Sequence, residues 1–169
     1  MQIYYIIIFF IFGIVFGSFF NVVGYRLPKD MSIAYPSSHC PNCKHKLNAL
    51  DLIPIFSYLF AGGKCRYCKK KISIFYPIIE LLTGFLFVLT YIVFGLSINT
   101  IIILLFVSMT IILILSDILY MIIPDSVLIV FGLLILIIKV VIGTNIPFMI
   151  LDILIPFIFM YLLKLFGDK

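Results

Sequence analysis

Apolar runs long enough to cross a bilayer take up most of this chain. A helix needs roughly 17–25 apolar residues to span the hydrocarbon core, and such runs fall at 3–23, 77–96, 98–122, 126–143 and 146–165. With 64% hydrophobic residues, 11% charged residues and a mean hydropathy of +1.31, a soluble domain of 169 residues could not cover its own apolar surface. Turn signals separate the later runs: Pro77, the Gly95/Ser97/Asn99 group, Pro124-Asp125, and Gly143 to Pro147. The expected fold is an all-α polytopic membrane protein with about five transmembrane helices. The expected division is a first helix (1–23), a cysteine-rich loop domain (24–76) and a helical remainder (77–169).

The charge is sparse and lopsided. Nine of the twelve Lys and Arg residues fall between 24 and 75. By the positive-inside rule this loop is cytoplasmic and the N-terminus is outside. The 122–126 turn and the C-terminal "KLFGDK" then share the loop's side. A net charge of +5 does not point to nucleic acid, because no soluble basic domain supports that reading. "MQIYYIIIFFIFGIVFGSFF" is as oily as a signal peptide but has neither a basic n-region nor a small-x-small cleavage site, so it reads as a retained anchor. Within it, Gly13 and Gly17 have GxxxG spacing and Asn21 follows, a pattern suited to close helix packing with a cross-helix hydrogen bond. No internal repeat stands out.

All four cysteines lie in the basic loop, as Cys40-Pro-Asn-Cys43 and Cys65-Arg-Tyr-Cys68. Paired C-x2-C knuckles supply four thiolates to one tetrahedral ion, which makes structural zinc the expected occupant. A pair of disulfides would be out of place in a reducing compartment. Thioredoxin-like redox chemistry would need a βαβ context. Four thiolates leave no open coordination position, so the metal would be structural. His39 and His45, beside the first knuckle, read as solvated loop residues. The segment between the knuckles, "LDLIPIFSYLFAGG", is apolar and suited to dipping into the membrane interface.

An Asp near the centre of a membrane helix costs about 2.5–3.5 kcal/mol on insertion scales, which makes Asp117 a functional candidate. Asp125, after Pro124, is placed to cap the next helix or to act beside Asp117, eight residues away. Glu80 lies near the start of the second long helix, where it favours the positive N-terminus and can line the same cavity. Asp152 and Lys139 read as a structural pair in the opposite leaflet. Two carboxylates sharing a site split their pKa values, one serving as base and the other as acid.

"GSFFNVVGYRLP" (17–28), "SSHCPNCKHKL" (37–47), "LIPIFSYLFAGGKCRYCKKKISIFYPIIELLTG" (52–84) and "SDILYMIIPDSVL" (116–128) together resemble the prepilin peptidases, the bacterial inner-membrane leader peptidases of type IV pilins and pseudopilins. The resemblance implies an aspartic endopeptidase that removes a basic prepilin leader after a glycine at the cytoplasmic membrane face. It also implies N-methylation of the new N-terminus with S-adenosylmethionine, Asp117 as one catalytic aspartate, and zinc on Cys40, Cys43, Cys65 and Cys68. The family's second aspartate lies in a G-x-G-D motif. Here Gly167-Asp168 reproduces only the G-D, so "KLFGDK" reads as a linker ahead of that motif, with Asp168 as the alternative second aspartate. On the linker reading the chain by itself is expected to be inactive. No glycine-rich cofactor loop marks a methyl-donor site. The competing readings are a non-enzymatic scaffold with a partner-binding zinc loop, which would tolerate Asp117→Asn, and a proton relay through Asp117 and Asp152, which the lack of repeat symmetry opposes.

Overall fold

The computed structural model describes residues 2–143. It contains helices α1 (Gln2–Arg26), α2 (Phe56–Phe60), α3 (Phe75–Phe94), α4 (Ile98–Tyr120) and α5 (Asp125–Val141), with two short 3-10 turns in the loop between α1 and α3. Among the described residues three helices, α1, α3 and α4, are long and apolar enough to cross a membrane. The fourth expected span forms α5, 17 residues long. The fifth (146–165) lies outside the described residues, as do Asp152 and Asp168. The chain divides into two compact units between Phe131 and Gly132.

In the first unit α1 packs mainly on α3, and both contact α4. The core joins Phe20 and Val23 of α1, Ile79 and Phe87 of α3, Ile111, Ile112 and Leu115 of α4, and Val127 of α5. Outside it the helices carry exposed Ile, Leu and Phe along much of their length, such as Ile7, Phe12, Phe85, Ile101 and Phe106. A water-soluble bundle would hide these side chains, whereas lipid solvates them. Helix hydroxyls find acceptors without water: Thr83 Oγ1 donates to the Ile79 carbonyl (2.7 Å) and Ser108 Oγ to the Leu104 carbonyl (2.7 Å).

The GxxxG pair makes the α1–α3 seam. A Cβ on Gly13 would stand 2.6 Å from Gly84 Cα, and one on Gly17 would stand 2.9 Å from Glu80 Cα. Asn21 Nδ2 closes the same seam by donating to the Tyr76 carbonyl (3.2 Å). Gly17→Leu is therefore expected to destabilise the bundle by about 1–3 kcal/mol through overpacking. Gly132→Leu, where a Cβ meets nothing within 4 Å, should stay within about 0.5 kcal/mol. Thermal unfolding of both variants in detergent measures the difference.

At the loop end of the bundle, the Lys29 ammonium sits over the rings of Tyr25 and Tyr120, 4.4 and 4.7 Å from their centroids. Buried Arg26 donates to the Ser32 carbonyl (3.1 Å), folding the loop back across the end of α1. These contacts anchor the start of the cysteine loop to the helix ends.

Candidate functional site

The two C-x2-C knuckles are the same structure used twice, at an offset of 25 residues. In the first, Cys40 N–H donates to the His45 carbonyl (3.0 Å), Lys44 N–H to the Cys40 carbonyl (2.9 Å) and Leu47 N–H to the Ser38 carbonyl (2.9 Å). In the second, Cys65 donates to Lys70 (2.9 Å), Lys69 to Cys65 (3.0 Å) and Ile72 to Gly63 (2.8 Å). Lys44 and Lys69 both adopt left-handed backbone, at φ 60° and 59°. Short antiparallel bridges, His39 with Lys46 and Lys64 with Lys71, flank the pair. No internal repeat stands out in the sequence, yet the backbone repeats here. The signal was in the sequence: "CPNCKHKL" and "CRYCKKKI" share both cysteines and two lysines, but the rest of each copy has diverged.

The turns aim four sulfurs at one point, all within 4.8 Å of one another. Cys40 Sγ and Cys68 Sγ are 3.8 Å apart, matching the edge of about 3.8 Å that a tetrahedron with 2.3 Å Zn–S bonds requires. Cys40 and Cys65 are buried and Cys43 is exposed. The Cys43 backbone N–H at Cys40 holds that thiol down to about 6, in the manner of any thiolate supplied with donors. At Cys43 the backbone N–H of His45 pulls down, but burial and the Cys40, Cys68 and Cys65 sulfurs outweigh it and push the thiol up to about 11. A metal bound by these sulfurs displaces thiol protons, so zinc affinity should rise with pH and weaken as the solution is acidified. Chelator competition at several pH values checks the sign.

The histidines stay out of the sulfur cluster. His39 Nδ1 lies 3.0 Å from the Ser37 carbonyl, and His45 stacks on Tyr67 of the other knuckle, with centroids 3.6 Å apart. Asp51 pairs with Arg66 at 3.3 Å, and the Tyr67 hydroxyl donates to Asp51 at 3.4 Å. The two knuckles are therefore joined by the His45–Tyr67 stack as well as by their converging sulfurs.

Between the cysteine loop and the ends of α1 and α3 lies a cavity of about 450 Å³, lined by Ser18, Asn21, Arg26, Cys40, Tyr58 and Glu80 among others. Glu80 is only 7% exposed. Its Oε2 accepts the backbone N–H of Ile55 at 2.7 Å, and it occupies the second turn of α3, beyond reach of a first-turn dipole contact. Asp117 sits in the last turn of α4, exposed and outside the cavity lining. Because α4 ends at Tyr120, Asp117 is nearer the helix end than a helix to 122 implied. Asp125 is exposed in the first turn of α5. Glu80, Cys40 and Cys65 thus share one cavity, while Asp117 and Asp125 flank the α4–α5 turn.

Residues 11–94 match the family described as the bacterial Peptidase A24 N-terminal domain. Among curated relatives, the prepilin leader peptidase/N-methyltransferase of Bacillus subtilis is 44% identical over 124 residues, covering 73% of this chain and 50% of its own length. The corresponding enzymes of Myxococcus xanthus (49% identical over 78 residues) and Klebsiella pneumoniae (44% over 86) cover 46% and 47% of this chain and 23% and 38% of their own lengths. This chain belongs to the prepilin leader peptidase family. It spans about half the length of the Bacillus subtilis relative and less of the other two. No solved structure matches it. The family match takes in most of α1, the paired knuckles, the cavity lining and α3. Asp117 and Asp125 lie beyond the matched residues.

Proposed function

We propose that this protein is the leader-docking and first-aspartate portion of a prepilin peptidase in a bacterial cytoplasmic membrane. The observation that carries the reading is the family match over residues 11–94, which encloses both the four-thiolate cluster and the cavity at the helix ends. The proposed organisation is a transmembrane helix (1–23), a cytoplasmic cysteine domain (24–76) and a helical remainder (77–169) with the protease half-site. Zinc on Cys40, Cys43, Cys65 and Cys68 is structural here, since a closed four-sulfur set holds no substrate. It fixes the loop that presents the prepilin leader at the membrane edge.

Asp117 is the proposed catalytic acid, with Asp125 and Glu80 in support. With a second aspartate it would activate water against the bond after the leader's glycine. One carboxylate takes the proton from water while the other, protonated, donates to the scissile carbonyl. N-methylation with S-adenosylmethionine rests on the relatives' names, and no residues are assigned to the methyl donor.

The test is cleavage of a prepilin by the chain reconstituted in lipid, alone and with the C-terminal helices of the Bacillus subtilis relative supplied. Release of the leader in either arm, lost on Asp117→Asn, supports the proposal. Cleavage that survives Asp117→Asn, or none in both arms, overturns it and favours the scaffold reading.

A further inference from the structure

The segment from Leu50 to Phe60 carries a row of apolar side chains that the protein leaves uncovered. Leu50, Ile53, Phe56, Leu59 and Phe60 are all exposed, Phe60 to 80% and Leu59 to 64%. Phe56 and Phe60 stack one turn apart in α2, with ring centroids 6.4 Å from each other, so they present a common face. Asp51, Leu52, Ser57 and Tyr58, three of them polar, line the cavity instead. The segment is therefore two-sided, polar toward the cavity and apolar outward.

Its depth is set by a contact 25 residues apart in sequence. Ile55, the residue just before α2, donates its N–H to Glu80 at 2.7 Å. Glu80 lies five residues into α3, about 7.5 Å along the axis of a membrane-spanning helix. Ser18, eight residues before the end of α1, lines the same cavity. The start of α2 is thus drawn down beside the membrane-spanning helices and does not stand off in water. Irregular backbone at such a depth persists only where protein satisfies its polar groups, and the Glu80 carboxylate does this for Ile55. Ile55 itself holds φ at 62°, a conformation a β-branched residue adopts only when its surroundings impose it.

The charges nearby fit a lipid surface. Lys64, Lys69, Lys70 and Lys71 follow the segment directly. Its one acid, Asp51, is already paired with Arg66. Apolar side chains flanked by cations are the pattern of an element lying in the headgroup layer. We propose that Leu50–Phe60 is a lipid-binding interfacial element, with its apolar face in the bilayer surface and Glu80 as the positioning residue that sets its depth. The inference needs only that α1 and α3 span the membrane, so it stands or falls apart from the peptidase reading.

The sequence contains no tryptophan, so Phe60→Trp introduces a sole indole at an exposed site. In vesicles of mixed zwitterionic and anionic phospholipid, its emission should be blue-shifted and quenched by lipids brominated near the glycerol end of the acyl chain. Quenching should be weaker with bromine near the methyl end, and aqueous iodide should have little effect. Adding Glu80→Ala should shift the emission to the red and restore iodide quenching while circular dichroism stays helical. If that variant does not fold, Glu80→Gln, which keeps an acceptor for Ile55, should retain lipid quenching. Iodide quenching without lipid quenching in the Phe60→Trp protein would overturn the proposal. So would an indole shielded only when an apolar pilin-type helix is added, which would make the patch a protein-docking surface. Lipid quenching unchanged by Glu80→Ala would remove Glu80 as the positioning residue.

Discussion

Cys65→Ser is expected to abolish stoichiometric zinc binding and to release the cysteine loop from its fold. Four-thiolate zinc contributes about 10–16 kcal/mol of apparent binding free energy in small metal-dependent domains. The other contacts that hold the loop are few: the Arg26 and Lys29 anchors at its start, the His45–Tyr67 stack and the Ile55–Glu80 hydrogen bond. Its two knuckles lack an extended sheet, and their backbone is closed by single bridges and turns. Among the described residues, its salt bridge is the half-exposed Arg66–Asp51 pair, worth about 0–1 kcal/mol. The buried side chains between the knuckles are the sulfurs themselves, with Cys40 and Cys65 each 4% exposed. Removing Cys65 takes away a ligand and a packing centre together. The helical bundle should survive, because its core joins α1, α3, α4 and α5 and contains no residue of the loop. The expected result is therefore divided: metal analysis falls from one zinc per chain to near zero and loop amides lose hydrogen-exchange protection, while helicity in detergent changes little. Full zinc content in Cys65→Ser would show that the metal is held elsewhere. Cooperative unfolding of the whole protein would show that loop and bundle are one thermodynamic unit.

The helices were legible because lipid imposes a simple rule. The runs 3–23, 77–96 and 98–122 became α1, α3 and α4 with ends shifted by a few residues, since each run must satisfy its own backbone and face hydrocarbon. The sulfur cluster was legible for a similar reason: metal geometry demands a spacing that few other functions use. The role of Glu80 was hidden. Its acceptor function depends on Ile55 folding back across 25 residues after Pro54, a tertiary event with no local period or propensity. The knuckle repeat is faint in the sequence because its copies share a backbone hydrogen-bond pattern more than they share side chains. Asp117 lies about half a turn nearer the helix end than the run to 122 implies, because Met121 leaves the helix in left-handed backbone, at φ 54°. An exposed methionine in an apolar run gives no warning of that.

Asp117→Asn is expected to separate catalysis from folding. The side chain is exposed on the last turn of α4, so an isosteric amide fills the same space without touching the core. At a helix C-terminus a carboxylate faces the negative end of the dipole, and removing its charge there is worth about 0.3–1 kcal/mol in favour of the helix. The variant should therefore be as stable as the parent or slightly more so. If Asp117 works as an acid or base, leader cleavage by the complete enzyme should fall by about 10²–10⁴-fold. Asp125→Asn supplies the contrast, because Asp125 lies in the first turn of α5, where its charge favours the helix. Its loss should lower stability by about 0.3–1 kcal/mol and reduce cleavage less than Asp117→Asn does. A charge kept where it disfavours the helix is a candidate for another purpose. Thermal unfolding and leader release, measured on the same three proteins, decide whether Asp117 is such a residue.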